Sequence, residues 1–132
     1  MSYKLFIDDI REPRNVFPTT DNKEWTVVRN YDQFVATIES QGLPFIISFD
    51  HDLSLEHYPF MEPDGGLGSP TIIPYDRYTE KTGYHAAKYL VDYCLEKDLD
   101  LPRYFIHTAN PVGRDNIKLL LESYERFREN NP

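Results

Sequence analysis

Four short apolar runs, each closed by polar residues, constrain this chain more than any other feature. They are 3–7 (YKLFI), 25–29 (WTVVR), 45–49 (FIISF) and 103–108 (RYFIHT). Short β-branched and aromatic runs bounded by turn formers read as strands, and near-continuous apolar character marks strands buried on both faces. Amphipathic segments separate them. Asn30 opens one, with Gln33 placed to complete a capping box, Tyr31, Phe34, Val35 and Ile38 at helical spacing, and Gly42 as its stop. A second helix is expected over Gly83–Lys97, where Ala86, Ala87, Leu90, Val91, Cys94 and Leu95 form one stripe. Asn110 caps a third, with Pro111 at its first position and Ile117, Leu120, Leu121, Tyr124 and Phe127 as its inner face. Residues 10–24, with Pro13 and Pro18 and no helical period, read as loop. Strands alternating with helices imply a parallel sheet covered on both faces, a three-layer α/β arrangement. The first and third runs are the most apolar, so the expected strand order is 2-1-3-4.

With 132 residues the chain has the length of one domain, 1–132. Only the stretch at about 53–81 breaks the pattern. Pro59, Pro63, Pro70 and Pro74 with Gly65, Gly66 and Gly68 leave no period there, which marks a long loop insertion of lid type. His57, Tyr75 and Tyr78 lie within it, the two tyrosines as candidates to touch a base. Lys and Arg total 14 against 22 Asp and Glu, a net charge of −8 that argues against extended DNA binding. The one cysteine, Cys94, excludes an internal disulfide framework, fits a reducing compartment and sits on an apolar stripe as a core residue. No apolar stretch reaches the ~20 residues of a membrane span, and the first residues do not read as a signal peptide. The expectation is a soluble, cytoplasmic protein of unspecified oligomeric state.

The chemistry gathers at the ends of the strands. In an open parallel sheet, ligands bind beyond the carboxyl ends. There the first run delivers Asp8 and Asp9, the third Asp50, His51 and Asp52, and the fourth His107, Thr108 and then Asn110. Two like charges ~4 Å apart cost about 4 kcal/mol at an effective dielectric near 20. Such a cluster must either protonate in part or hold a cation. Oxygen donors suit Mg²⁺ or Mn²⁺, and neighbouring imidazoles widen the choice to Fe or Zn²⁺. Asp8, Asp9, Asp50 and Asp52 are the candidate ligands. The same acids are also able to accept backbone N–H bonds in their loops, and neutralisation by a neighbouring arginine or lysine would remove the need for a cation. His107 and His51 are the candidate proton carriers. The start of the last helix, near Val112, Gly113 and Arg114, offers amides and a guanidinium to an anion. Arg11 and Arg14 either steer a phosphate or pair with Asp8 and Asp9. His85 reads as surface, and Tyr84, Tyr89 and Tyr93 as packing.

The acidic pair closing the first strand and the acid closing the third resemble a response-regulator receiver domain. That resemblance implies metal ligation by Asp8 and Asp9 and an acceptor-like Asp50. The chain departs from it: no lysine follows a fifth strand, no usual first helix follows strand one, and His107 stands where a small hydroxyl residue is usual. LFIDDIREPRN, ISFDHDL, TGYHAAKYLVDYC and YFIHTANPVGRDNI are similar, over nearly the whole chain, to cyclic-phosphate-processing receiver domains. This second resemblance implies a receiver/flavodoxin-like fold, a pocket of Asp8, Asp9, Asp50, Asp52, His107, Asn110 and Arg114, and a link to RNA repair. The expected function is that of a metal-dependent phosphoesterase acting on a cyclic or terminal phosphate of a small molecule, nucleotide or RNA end. Mg²⁺ or Mn²⁺ is the expected cofactor, and Thr108, Asn110, Gly113, Arg114 and Arg11 the expected phosphate contacts. The alternatives are a non-catalytic phosphate- or nucleotide-binding module and a degenerate response-regulator receiver.

Overall fold

The computed structural model describes residues 3–53 and 81–130. In chain order the elements are β1 (Lys4–Ile7), α1 (Pro13–Val16), a 3₁₀ turn (Asn22–Glu24), β2 (Trp25–Val28), α2 (Tyr31–Gln41), β3 (Ile46–Phe49), α3 (Gly83–Lys97), β4 (Arg103–Ile106) and α4 (Pro111–Asn130). All strand pairs are parallel and the order is β2-β1-β3-β4, as expected from the sequence. The centre of the insertion, with His57, Tyr75 and Tyr78, lies outside the described residues.

Local chemistry fixes the helix ends. Asn30 Oδ1 accepts from Gln33 N at 2.9 Å, while the Gln33 side chain reaches back to Arg29 N at 2.7 Å, one residue earlier than a capping box requires. Gly42 has φ +80°, a backbone that favours glycine, and donates its N–H to Ile38 O to close α2. The Thr82 hydroxyl caps α3 by accepting from Tyr84 N at 3.1 Å. Asn110 Oδ1 caps α4 by accepting from Gly113 N at 2.9 Å. The stretch expected as loop at 10–24 contains two helical turns, α1 and the 3₁₀ turn Asn22–Glu24. Pro13 supplies a preset φ at the first position of α1, and the Asn15 side chain accepts from Glu12 N at 2.7 Å.

Register then assigns side chains to faces. Lys4, Leu5, Phe6 and Ile7 pair in step with Ile46, Ile47, Ser48 and Phe49, and these in turn with Arg103, Tyr104, Phe105 and Ile106. Leu5, Ile7, Ile47 and Phe49 share one face. They form the main core with Phe34 and Ile38 of α2, Ala86, Ala87, Leu90 and Cys94 of α3, and Ile117, Leu121 and Tyr124 of α4. Each fully buried Leu or Ile side chain in it contributes about 1.5–3 kcal/mol. Among the described residues the three long helices therefore cover one face, where the alternation of strands and helices implies helices on both. On the other, Phe6 meets Trp25 edge-on, and Phe17, which follows α1, stacks on Trp25 with ring centroids 5.4 Å apart and meets Phe105 at the same distance. Among the described residues, no helix is long and apolar enough to cross a membrane.

Candidate functional site

The parallel register that aligns Ile7, Phe49 and Ile106 aligns the residue after each of them. The ladder continues for one more step: Asp8 N donates to Val28 O at 3.1 Å, Asp50 N to Ile7 O at 3.0 Å and His107 N to Phe49 O at 2.8 Å. Asp8, Asp50 and His107 thus stand side by side at the carboxyl rim. Among the described residues they form the group whose ligand atoms converge, all within 4.8 Å of one another. By strand alternation their side chains project toward the Phe6 face. There His107 stacks on Phe6 with centroids 4.5 Å apart and planes 6° from parallel.

His107 is held at both ring nitrogens. Nδ1 lies 2.7 Å from Ser48 Oγ and Nε2 lies 3.0 Å from Asp8 Oδ2. For the neutral ring one pattern satisfies both contacts: the Ser48 hydroxyl donates to Nδ1, and the imidazole donates from Nε2–H to the carboxylate. Burial pushes the His107 pKa down, against the pull of Asp8, so the neutral Nε2–H tautomer fits this pattern.

Asp8 is saturated. Oδ1 accepts from Ile10 N at 2.9 Å and Arg11 N at 2.8 Å; Oδ2 accepts from Arg11 Nε at 2.8 Å and from His107. Burial alone would raise its pKa. The hydrogen bonds from His107, Ile10 N and Arg11 N, with the Arg11 charge, outweigh burial and hold the carboxyl well below the usual range. Asp50 lies on the same rim with the opposite balance. Burial and the neighbouring Asp8 charge push it up to about 7, against the pull of Arg11, the His51 N–H and the Thr108 side chain. Arg11 Nη2 lies 3.2 Å from Asp50 Oδ1, so a single guanidinium spans both carboxylates.

This arrangement answers the question of charge left open by the sequence. The acids are reconciled by Arg11 and by the raised pKa of Asp50, so the cluster needs no inorganic ion to exist. Two carboxylates and an imidazole still suit a hard or borderline divalent cation by donor type. Arg11 occupies one oxygen of each carboxylate, Asp8 Oδ2 and Asp50 Oδ1. Asp9, half-buried, and Asp52 are not part of the converging group.

The remaining expected residues form a second, inward-facing network. His51 is fully buried, with Nδ1 2.8 Å from Asp52 Oδ1. Asn110 Nδ2 donates to the same Asp52 oxygen at 3.2 Å, and Asn110 also caps α4. Gly113 sits directly on the His51 ring, where any Cβ would overlap it. The α4 amides expected to greet an anion are thus partly used: Gly113 N goes to the Asn110 side chain and Arg114 N to Asn110 O. The exposed Arg114 reaches back to Thr108 O at 2.8 Å, bracing the loop that follows β4. Tyr84, Tyr89 and His85 lie half-buried on α3, and Cys94 is buried in the core.

Three positioning residues escaped the sequence reading. Arg29 Nη1 donates to Asp8 O at 3.1 Å and Arg11 O at 2.7 Å, and Nη2 binds Glu12, which pins the β1–α1 connection. Its signal was a lone charge ending the WTVV run. Ser48, which sets the His107 tautomer, was the one hydroxyl in FIISF. Gly83 packs on the Asp50 carbonyl so closely that a Cβ would collide with it, and its N–H donates to His51 O at 2.8 Å.

A parallel 2-1-3-4 sheet with acids and an imidazole at its carboxyl rim defines a receiver-like α/β protein. Residues 3–123 match the family of cyclic-phosphate processing receiver domains, and the chain belongs to that family. No curated protein and no solved structure matches it.

Proposed function

We propose that this chain processes a cyclic or terminal phosphate ester, carried by a nucleotide, an RNA end or a smaller phosphorylated molecule, at the rim formed by Asp8, Asp50 and His107. The observation that carries this reading is the register itself, which sets two carboxylates and an imidazole within 4.8 Å on a receiver-like sheet. Mg²⁺ or Mn²⁺ is the cofactor, held by Asp8 and Asp50. Bound there, the ion polarises a phosphoryl oxygen and acidifies a water.

The chain's own groups have separable tasks. His107 holds a proton on Nε2 at the rim, its tautomer set by Ser48. Asp50, whose pKa burial and the Asp8 charge push up to about 7, gives up its proton when it takes the ion. Arg11, once off the carboxylates, presents its guanidinium to the phosphate. Thr108 and Arg114 border the rim on the β4 side. His51, Asp52 and Asn110 shape it from below, by fixing the start of α4.

Hydrolysis of a 2′,3′-cyclic nucleotide, followed with Mg²⁺ and with Mn²⁺, tests this reading. The wild type turns it over, and Asp50→Asn loses about 100-fold or more of the rate while keeping its fold. Wild-type rates in that variant would sink the proposal. A second reading, a non-catalytic phosphate-binding module, draws support from Arg11, which already balances the carboxylates. It predicts thermal stabilisation by the nucleotide with every metal tried and no product.

A further inference from the structure

We infer that Arg11 and a divalent cation compete for the same two carboxylates, so that Arg11 acts as a built-in brake on metal loading. This rests on the cation reading above and adds to it a residue that regulates the site. Arg11 Nε lies 2.8 Å from Asp8 Oδ2 and Nη2 lies 3.2 Å from Asp50 Oδ1. A carboxylate offers about four lone-pair directions, and Asp8 already uses four: Ile10 N, Arg11 N, Arg11 Nε and His107. An ion that takes Asp8 Oδ2 must displace one of them. His107 is clamped by Ser48 and stacked on Phe6, whereas the Arg11 side chain is 35% exposed and has solvent beside it to turn into.

Displacement leaves the loop standing. The Arg11 main chain is fixed independently of its side chain, by its N–H to Asp8 Oδ1 and by Arg29 Nη1 on its carbonyl. The guanidinium is therefore a counter-ion rather than a strut. With both acids ionised, Asp8 and Asp50 carry two negative charges and Arg11 returns one, so a divalent ion in its place completes the neutralisation that Arg11 leaves half done. Removing the guanidinium exposes two buried carboxylates to each other, which raises their demand for a cation.

Calorimetric titration of Mg²⁺ and Mn²⁺ into the wild type, Arg11→Gln and Arg11→Lys, each checked for fold by circular dichroism, tests the inference. Arg11→Gln is expected to bind the ions about tenfold or more tighter than the wild type. Arg11→Lys, which keeps the charge but spans the two acids less well, falls between them and carries the test if the glutamine variant does not fold. Equal or weaker affinity in these variants, with measurable binding to the wild type, overturns the brake and leaves the cation reading standing. Binding of neither ion to any of the three proteins overturns both.

Discussion

His107 Nε2 lies 3.0 Å from Asp8 Oδ2, although 99 residues separate the two in sequence. Two ladder steps through β3 produce the contact: Ile7 pairs with Phe49, and Phe49 with Ile106. A one-residue slip in either pairing would turn the imidazole to the opposite face. The contact is therefore as dependable as the sheet, and it makes the neighbouring charges strongly coupled.

That coupling has a signature in stability. Asp50 keeps its proton in the folded protein up to about pH 7, while the unfolded chain releases it near 3.8. Between these values the folded state binds more protons, so this contribution falls as pH rises from about 4 to about 7. His107 works in the opposite direction. Its folded pKa lies below 6.5, so its contribution grows as pH rises through the value of the unfolded chain. Asp8, held low, contributes stability above 3.8 that is lost only in strong acid. Asp50→Asn removes the falling limb. Denaturant titrations should show the variant more stable than wild type by about 1–3 kcal/mol at pH 8, with the gap closing toward pH 4. A constant gap across that range would contradict the burial argument.

Gly113 tests the packing beneath the site. Alanine there meets the His51 ring, which is enclosed by Asp52, Asn110 and the start of α4 and cannot yield cheaply. Gly113→Ala should cost about 1–3 kcal/mol by chemical denaturation, although alanine is the better helix former. Unchanged or increased stability would show that the His51 ring moves freely.

Arg29 tests the support of the acidic loop. Arg29→Gln removes donors from Asp8 O and Arg11 O and an ion pair with Glu12. The amides of Ile10 and Arg11, which donate to Asp8 Oδ1, should then exchange hydrogen markedly faster, while amides in the centre of α3 keep their rates. Unaltered protection at Ile10 and Arg11 would assign the loop's order to other contacts.

The sheet was legible because its signals are local and strong. FIISF and YKLFI are unambiguous apolar runs, and Asn110-Pro111 and Gly42 punctuate helices by their own backbone preferences. The strand ends also showed which acids reach the rim. Which of them meet was not legible, because adjacent residues at a strand end face opposite ways and the chain leaves β3 at this point: Asp50 joins Asp8, His51 faces the other way, and Asp52, already in the loop, meets His51 and Asn110. The α1 turn was missed because two prolines obscured a four-residue helix that begins on one of them. The role of Arg11 was stated only as a choice between phosphate and acid, and distance settles it for the resting protein: the guanidinium is on the acids.

Diffraction from crystals soaked in Mn²⁺, recorded for the metal's anomalous signal, tests the central claim most directly. A peak in contact with the Asp8 and Asp50 carboxylates, accompanied by an outward-turned Arg11, is the predicted result. A fully occupied peak elsewhere, or none at the rim while Arg11 keeps its hold on both aspartates, would contradict it.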